Sequence, residues 1–386
     1  MSETPFWLEE PAPELPRRAF AGRAEVAVIG GGVTGCSCAL TLAERGVRVR
    51  LYEQRRIAGG ASGRNGGFAL RGAAAPYDVA CDELGRGAAR SVMTLTEQTL
   101  DRLERLAGDA FRRVGSLRLA ADEAELAALH AEYGALRADG FAVEWVDTLE
   151  PPLDRLYLGA ILQPPDGAIV PARWVRRLAG HAVDAGAEIL EEAHVAVEGV
   201  DADVVVVCGD GFTASLLPEL ADVVVATRGQ VLATEPLPAL RYPLPHYARG
   251  GYDYWHQQPD GRLVIGGQRD TALADEQTEV EAVNPAVQTS IDDLVEALVG
   301  HRPAVTHRWA GIWGATPDLL PLAGPLAGLL PGRENVWIAG GYSGHGNVLG
   351  LACGDLVARA ILGDRPAELG PFAPARLFDA TYSSRR

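Results

Sequence analysis

The chain has 386 residues, 47% hydrophobic and 22% charged, which is enough for one large or two medium cores in a globular protein. A formal net charge of -16 without a basic run repels phosphate backbones and anionic lipids, which argues against nucleic acid and membrane partners. No apolar run approaches the roughly 20 residues that span a bilayer, and Met1–Glu10 lacks the positive charge of a secretory signal. We therefore expect a cytoplasmic protein.

Metal chemistry finds no support in the composition. The eight histidines are scattered without the paired spacing of metal motifs, and the five cysteines lack zinc-like spacing. We expect no metal site and interpret the cysteines as packing thiols. All 35 basic residues are arginine, so no lysine takes part in any mechanism.

The first elements are predicted to be a strand, a glycine turn, a helix and a second strand. Glu25–Ile29 is a short apolar strand, an Ala/Leu helix ends near Gly46, and Arg48–Tyr52 is the next strand. This order is typical of the opening of a doubly wound nucleotide-binding sheet. Helical periodicity then predicts helices over Asp82–Leu106 and Asp122–Ala138, which we interpret as an insertion.

Later segments return to alternating strands and helices. Gly159–Val170 alternates as a strand does, and a helix begins at Pro171 and ends at Gly186. Glu188–Val197 and Val204–Val207 follow as strands. We interpret this stretch as the resumption of the first sheet.

From Gly229 the pattern changes to antiparallel strands. The predicted strands are Gln230–Thr234, Tyr252–Gln257, Leu263–Gly267 and Val305–Gly314, with Asp260-Gly261 as a hairpin turn. A strand at Val336–Ala339 and a helix beginning near Asn347 close the chain. The predicted fold class is α/β plus α+β. A Rossmann-like domain (1–85, 151–226 and 315–386) is interleaved with an antiparallel-sheet domain (86–150 and 227–314).

The first glycine turn has the spacing G-x-G-x-x-G between a strand and a helix. Gly30 permits the tight turn, Gly32 lets the backbone approach a pyrophosphate, and Gly35 allows close helix packing, while Val33 and Thr34 begin the helix. Glu53, 23 residues after Gly30, would accept hydrogen bonds from ribose hydroxyls and repel a 2′-phosphate. Gln54 and Arg55 complete this part of the predicted site, but the motif alone leaves NAD and FAD open.

Two further glycine-rich turns favour FAD over NAD as the cofactor. The first combines phosphate-binding donors with glycines; its predicted cofactor-binding residues are Ala61, Ser62, Arg64, Asn65, Gly66 and Gly67. The second runs from a strand into a helix at 339–347 and presents a positive dipole end, which would stabilise the negative charge of a reduced flavin. Its predicted residues are Gly344, His345, Gly346, Asn347 and Val348, joined from the resumed sheet by Val195, Cys208 and Gly209.

Together these motifs resemble the D-amino-acid-oxidase superfamily of FAD-dependent oxidoreductases, nearest the γ-glutamylputrescine oxidases and sarcosine-oxidase-like enzymes. The resemblance covers most of the chain. Besides the glycine turns, it rests on Phe6-Trp7-Leu8, Asp166-Gly167 to Pro171, Val204–Gly209, Arg228-Gly229-Gln230, Trp309-Ala310-Gly311 and Thr316-Pro317-Asp318. It implies a discontinuous FAD domain, a sheet domain that covers the flavin, and an amine substrate whose α-hydride passes to flavin N5, giving an imine that hydrolyses.

The predicted catalytic residues lie on the antiparallel strands and at the last glycine turn. Period-2 alternation puts Tyr252, Tyr254 and His256 on one strand face, where they form an aromatic cage over the flavin or simply fill the core. Trp313 is expected to join the cage. His345 is expected to serve both the cofactor and catalysis.

Departures from the family bear on the substrate. Trp313 stands where relatives that oxidise free amino acids carry a carboxylate-binding arginine, and Val348 where sarcosine-oxidase-like relatives carry a lysine. Both departures argue for an amine without an α-carboxylate clamp. Arg71, however, matches a substrate-binding arginine in its spacing from Ser62, so it binds a substrate anion or is a surface or phosphate-side arginine.

Other departures concern the flavin and its reoxidation. Gly311 and Arg64 stand where relatives attach flavin covalently, which implies non-covalent FAD, and Val264 stands where an oxygen-activating lysine is expected. The electron acceptor, oxygen or another, stays open. The alternatives are an FAD-dependent D-amino-acid or glycine-type oxidase or dehydrogenase, an NAD-dependent dehydrogenase, and a flavoprotein without turnover.

Overall fold

The computed structural model describes residues 2–12, 14–16, 19–20 and 22–378. Residue 1 and residues 379–386, the outer ends of the predicted nucleotide-binding domain, lie outside this part of the chain. The strands are β1 (Ala24–Ile29), β2 (Val49–Tyr52), β3 (Phe68–Ala69), β4 (Phe111–Arg112), β5 (Ser116–Ala120), β6 (Glu144–Val146), β7 (Gly159–Gln163), β8 (Gly167–Ile169), β9 (Glu188–Leu190), β10 (Ala202–Val207), β11 (Val225–Pro236), β12 (His246–Ala248), β13 (Asp253–Gln257), β14 (Arg262–Gly267), β15 (Val305–Ala315), β16 (Leu322–Pro325) and β17 (Val336–Gly340). The helices are α1 (Val33–Glu44), α2 (Ala61–Arg64), α3 (Tyr77–Leu84), α4 (Arg86–Ala107), α5 (Glu123–Ala138), α6 (Leu153–Leu156), α7 (Pro171–Ala185), α8 (Thr213–Leu216), α9 (Pro285–Val299) and α10 (Gly346–Ile361).

The first sheet is mostly parallel and has the strand order β16-β17-β10-β1-β2-β9. β1 pairs in parallel with both β10 and β2, and only β16 runs antiparallel among the described strands. Central parallel strands are buried on both faces, which explains the apolar runs of β1 and β10. Helices α7 and α10 both pack against α1, and the strand-helix-strand order predicted at the start of the chain is confirmed.

The second sheet is mainly antiparallel, with the order β15-β11-β14-β13-β12-β5-β7-β6. The hairpin predicted at Asp260-Gly261 is confirmed: β13 and β14 pair across it, and Gly261 takes the positive φ of 91° that the turn needs. Helix α9 covers this sheet and shares a core with Trp255 and Leu263. The remaining short strands form a third sheet, β3-β8-β4.

Three predicted elements were wrong in extent or place. The helix predicted over Asp82–Leu106 is two helices, because Gly85 has a non-helical φ of 83° between α3 and α4. The alternating segment Gly159–Val170 does not resume the first sheet: β7 pairs with β5 and β6 in the second sheet, and β8 belongs to the third. Alternation along a strand carries no information about which sheet the strand joins.

The strand predicted over Glu188–Val197 ends at Leu190. Glu192 has a positive φ of 55°, which breaks the extended conformation. The backbone N–H of Ala193 donates to the carbonyl of Glu53 at 2.8 Å, so the following residues fold over the end of β2. After this bend, Val195 lines the same cavity as Glu53.

The chain passes repeatedly between the first and second sheets, and the predicted fold class is confirmed. The domain boundaries stay a prediction. Within the described ranges no helix is long and apolar enough to cross a membrane. The same residues contain no group of three or more acidic, cysteine or histidine side chains arranged to hold a metal.

Candidate active site

A cavity of about 820 Å³ lies where the first and second sheets meet. The first glycine turn, the turn at 60–66, the loop at 193–196, the end of β10 and the N-terminal turn of α10 all reach it. Of the predicted site residues, those that line it are Gly30, Gly32, Val33, Thr34, Glu53, Gln54, Arg55, Ala61, Ser62, Arg64, Asn65, Gly66, Val195, Cys208, Gly209, Tyr254, Trp313, Gly344, His345, Gly346, Asn347 and Val348. Segments more than 300 residues apart therefore form one site.

The first turn is closely packed at each glycine of the motif. Gly30 has a φ of 116°, and a Cβ there would overlap the carbonyl oxygen of Cys208. A Cβ on Gly32 would lie 2.8 Å from Ser62 Oγ, and one on Gly35 would overlap the Gly30 carbonyl. Gly35 does not line the cavity; its packing instead holds α1 against the turn, with the helix N-terminus at the cavity.

The carboxylate of Glu53 is held by backbone N–H groups at the end of β2. Its Oε2 accepts from Gly31 N at 2.6 Å, and its Oε1 accepts from Arg55 N at 2.8 Å. Burial raises the pKa of the Glu53 carboxyl, against the lowering effect of these two hydrogen bonds. Each oxygen has a further lone pair for a ligand hydroxyl.

Three ring N–H groups, on residues that do not line the cavity, support the glycine-rich turn at 61–67, called the second turn below. They donate to consecutive carbonyl oxygens: Trp309 Nε1 to Arg64 (2.7 Å), Trp7 Nε1 to Asn65 (2.8 Å) and His256 Nε2 to Gly66 (2.9 Å). Because a carbonyl oxygen only accepts, His256 carries its proton on Nε2. Burial lowers the pKa of His256 to about 3, so this ring is neutral at neutral pH.

Side-chain hydrogen bonds connect the second turn with the glycine-rich turn at 339–348, called the third turn below. Asn65 and Asn347 exchange amide hydrogen bonds of 3.2 and 3.1 Å, and Asn347 Nδ2 also donates to the Phe68 carbonyl at 2.7 Å. Thr34 Oγ1 donates to Tyr342 Oη at 2.9 Å, which ties the first turn to the third. The three turns therefore form one connected unit.

Helices α1 and α10 cross at small residues. A Cβ on Gly350 would lie 2.7 Å from Val33 Cγ1, and one on Gly354 would overlap the Thr34 carbonyl oxygen. Such close contact brings the N-terminal turns of both helices to the same cavity, where their dipoles favour negative charge.

His345 precedes α10 and lines the cavity. Its Nδ1 is buried and has no hydrogen-bond partner among the described residues. Burial lowers the pKa of His345 to about 4, so its ring is neutral at neutral pH. The free nitrogen is available to a ligand group.

The second sheet contributes an aromatic wall, but not along one strand as predicted. Tyr247 on β12 and Tyr254 on β13 are direct cross-strand partners, and both line the cavity together with Trp313 on β15. Tyr254 Oη donates to the Gln230 carbonyl at 3.3 Å.

Five predicted site residues do not line the cavity. Tyr252 precedes β13 with a helical backbone (φ -77°, ψ -12°), so strand alternation does not apply to it. His256 lies behind the second turn, edge-on to the Phe68 ring at 5.5 Å, while Gly35 and Gly67 are packed away from the cavity. Arg71, the fifth, is treated separately.

The Arg71 side chain is fully buried and engaged with other protein groups. Its guanidinium pairs with Glu97, and its Nη2 donates to the Ala142 carbonyl at 2.5 Å and to Gln163 Oε1 at 3.3 Å. The Asp166 carboxylate is 3.7 Å from its Nε. With its charge matched in this way and away from the cavity, Arg71 is not placed to bind a substrate anion.

Several lining residues were missed from the sequence. Asp210 follows β10, and its carboxylate accepts backbone N–H groups of Gly341 (2.9 Å), Tyr342 (3.3 Å) and Gly314 (3.2 Å), joining the third turn to β15. Asp210 could have been predicted from the sequence, because it directly follows the predicted cofactor-binding residues Cys208 and Gly209. Tyr247 and Arg269 could not, because they follow no motif.

The protein's family follows from its likeness to known proteins. A family model described as DAO, FAD dependent oxidoreductase, matches residues 25–360, and the chain belongs to that family. It is 29% identical to the probable oxidoreductase OrdL of Rhizobium meliloti over 394 residues, covering 92% of this chain and 88% of the relative. It is also 29% identical to the gamma-glutamylputrescine oxidoreductase of Escherichia coli over 371 residues, with 88% and 84% covered.

Among solved structures, glycine oxidase from Geobacillus kaustophilus has the same fold. Its TM-score is 0.72 at 24% identity, over 91% of this chain and 98% of that chain. The resemblance inferred from the motifs is confirmed, including its branch.

The residues present fit FAD. The cavity volume lies in the upper part of the roughly 300–1,000 Å³ usual for small-molecule sites. A Cβ on Gly60 or Gly344 would meet nothing within 4 Å although both line the cavity, and His345 offers an unpaired nitrogen. The first turn would hold the diphosphate, Glu53 the ribose, and the turn at 344–348 the flavin ring.

Proposed function

We propose that the protein oxidises an amine or an N-substituted amino-acid-like substrate, using non-covalently bound FAD. When bound, FAD supplies a hydride acceptor at N5. The substrate's C–H bond breaks with its electron pair passing to this acceptor, and the nitrogen lone pair forms the C=N bond. Water hydrolyses the resulting protonated imine to a carbonyl compound and an amine or ammonia, with release of a proton.

The observation that carries this proposal is the meeting of two helix N-termini and an aromatic wall in one cavity. The N-terminal turn of α10 would stabilise negative charge on the flavin ring, because its free N–H groups and dipole favour an anion. Tyr247, Tyr254 and Trp313 would orient the substrate and exclude water on the opposite side.

Two relatives support an amine substrate. One is named for γ-glutamylputrescine and another for glycine, and both compounds are amines. Among the described residues, the aromatic wall of the cavity carries no side chain that would act as a strong base. This suits a neutral amine, which needs to be positioned over the flavin and does not need to be deprotonated at carbon.

Anaerobic titration of the purified holoprotein tests the proposal. A panel of primary, secondary and N-methyl amines and amino acids should include compounds that bleach the flavin absorbance near about 450 nm. Admitting oxygen afterwards reports whether oxygen is the acceptor. Flavin that is reduced by dithionite but by no member of the panel would contradict the proposal and favour a flavoprotein without amine turnover.

A further inference from the structure

One arginine in the cavity differs from the others in its charge environment. The lining arginines with carboxylate partners are Arg55 (Glu281, 2.7 Å), Arg64 (Glu281, 3.5 Å) and Arg333 (Glu198, 2.6 Å, and Glu219, 2.8 Å). Arg269 also lines the cavity, but no carboxylate among the described residues lies within ion-pair distance of its guanidinium. Its neighbour Asp270 pairs with Arg249 instead.

Two aromatic rings lie against the guanidinium of Arg269. Its guanidinium carbon is 4.7 Å from the centre of the Tyr252 ring and 5.3 Å from that of Trp313. Such cation–π contacts use no hydrogen-bond acceptor, so they leave the N–H donors of the guanidinium to be satisfied by another group. Tyr252, which does not line the cavity, thus has a role in fixing a residue that does.

Arg269 belongs to a different sheet from the turns that would hold the diphosphate of the cofactor. It follows β14 of the second sheet, beside Gly267, on the same side as Tyr254 and Trp313. The turns expected to hold the diphosphate come from the first sheet. An unpaired fork of donors on the aromatic side of the cavity suits an anion on the substrate.

We propose that Arg269 binds a carboxylate of the substrate, which makes the substrate class an amine that also carries a carboxylate group. This inference rests on the proposed function. A guanidinium fork matches the two oxygens of a carboxylate, and the hydrogen bonds are charge-assisted. It also reverses the expectation, drawn from Trp313, that the site lacks a carboxylate clamp: Trp313 supports the cation.

Matched substrate pairs test the proposal in the holoprotein. N-methylglycine and dimethylamine, or glycine and methylamine, differ by one carboxylate. In anaerobic flavin reduction, the wild type should reach half-saturation with the carboxylate member at a concentration about 10- to 100-fold lower. Arg269→Ala should remove this preference, and Arg269→Lys should keep part of it, because lysine retains the charge but not the fork. Arg262→Ala, an arginine of the same hairpin outside the cavity, is the matched control.

A binding readout separates this inference from turnover. Acetate and propionate cannot be oxidised as amines, and their binding should perturb the flavin spectrum. Their Kd should rise by about 10- to 100-fold in Arg269→Ala and stay unchanged in Arg262→Ala.

The outcomes distinguish the two proposals. If both members of a pair reduce the flavin equally well in wild type and Arg269→Ala, the carboxylate site is wrong while amine oxidation stands. If no amine reduces the flavin but acetate binding still depends on Arg269, the anion site stands and amine oxidation fails. Loss of FAD from Arg269→Ala would assign the arginine to the cofactor and overturn the inference.

Discussion

Ring nitrogens decide the shape of the turn at Ala61–Gly67. Trp7 and Trp309 donate to its carbonyls from the chain's N-terminal segment and from β15, and His256 donates from β13. These residues touch no ligand in the arrangement we infer. They act by positioning a loop that does, which is the role we assign to His256 instead of membership of an aromatic cage.

Because the His256 ring is buried, we expect the free energy of unfolding to fall as the pH is lowered. The pKa of the ring is about 3 in the folded protein against an ordinary 6.5, so between these values the unfolded chain binds the extra proton. Its contribution to stability is therefore present above about pH 6.5 and is lost as the pH falls toward 3. In His256→Gln, the loss of unfolding free energy between about pH 6 and about pH 4 should be shallower by up to about 1.4 kcal/mol per pH unit.

Urea denaturation at several pH values measures this slope. His301→Gln, at an exposed histidine, is the matched control. An equal change of slope in both variants would contradict the assignment to burial at position 256.

At the scale of elements, the site depends on the crossing of α1 and α10. Glycines at 350 and 354 let the two backbones approach, and this approach determines where both N-terminal turns lie. A larger residue at position 354 would have to push the helices apart, because the atoms it meets are the backbone of Thr34 and the Cβ of Ser37, which cannot move aside alone.

We therefore expect Gly354→Ala to destabilise the protein by about 1–3 kcal/mol through overpacking and to lower its FAD content. Gly134→Ala, in the middle of α5 with nothing within 4 Å, should instead stabilise by up to about 1 kcal/mol, because alanine favours a helix. Urea unfolding and flavin absorbance per protein measure the two effects. A Gly354→Ala protein as stable and as yellow as the Gly134→Ala control would show that the crossing tolerates separation.

At the scale of the whole molecule, the cavity between the sheets predicts a flavin that leaves when the fold is lost. Cys208 is the cysteine that lines the cavity in the described part of the chain, and burial raises the pKa of its thiol well above the ordinary value, so it is a poor nucleophile for attachment. Denaturation followed by ultrafiltration should release all flavin into the filtrate. Colour retained on the unfolded polypeptide would refute non-covalent binding.

Rebinding supplies the complementary measurement. Free FAD added to the flavin-depleted protein at about 100 times its Kd should raise the unfolding free energy by about 2.7 kcal/mol, by mass action on the folded state. NAD at the same concentration serves as the control, and equal stabilisation by both would argue for a nucleotide site without a flavin preference.

The sequence alone determined the features that arise from local chain properties. Spacing of Gly30, Gly32 and Gly35 predicted a turn whose crowding the structure shows, and alternation predicted the β13–β14 hairpin, because both depend on neighbouring residues and their backbone angles. The family could be identified for the same reason, since its motifs are short and contiguous.

Only the tertiary structure decided which distant segments meet. The sheet that β7 joins, the pairing of Tyr247 with Tyr254, and the burial of Arg71 against Glu97 and Asp166 depend on register and packing between segments far apart in the chain. A residue's own neighbours carry no record of such contacts. For that reason the sequence left open whether Arg71 binds a substrate anion, whereas the folded chain buries Arg71 among carboxylates and leaves Arg269 unpaired in the cavity among its described residues.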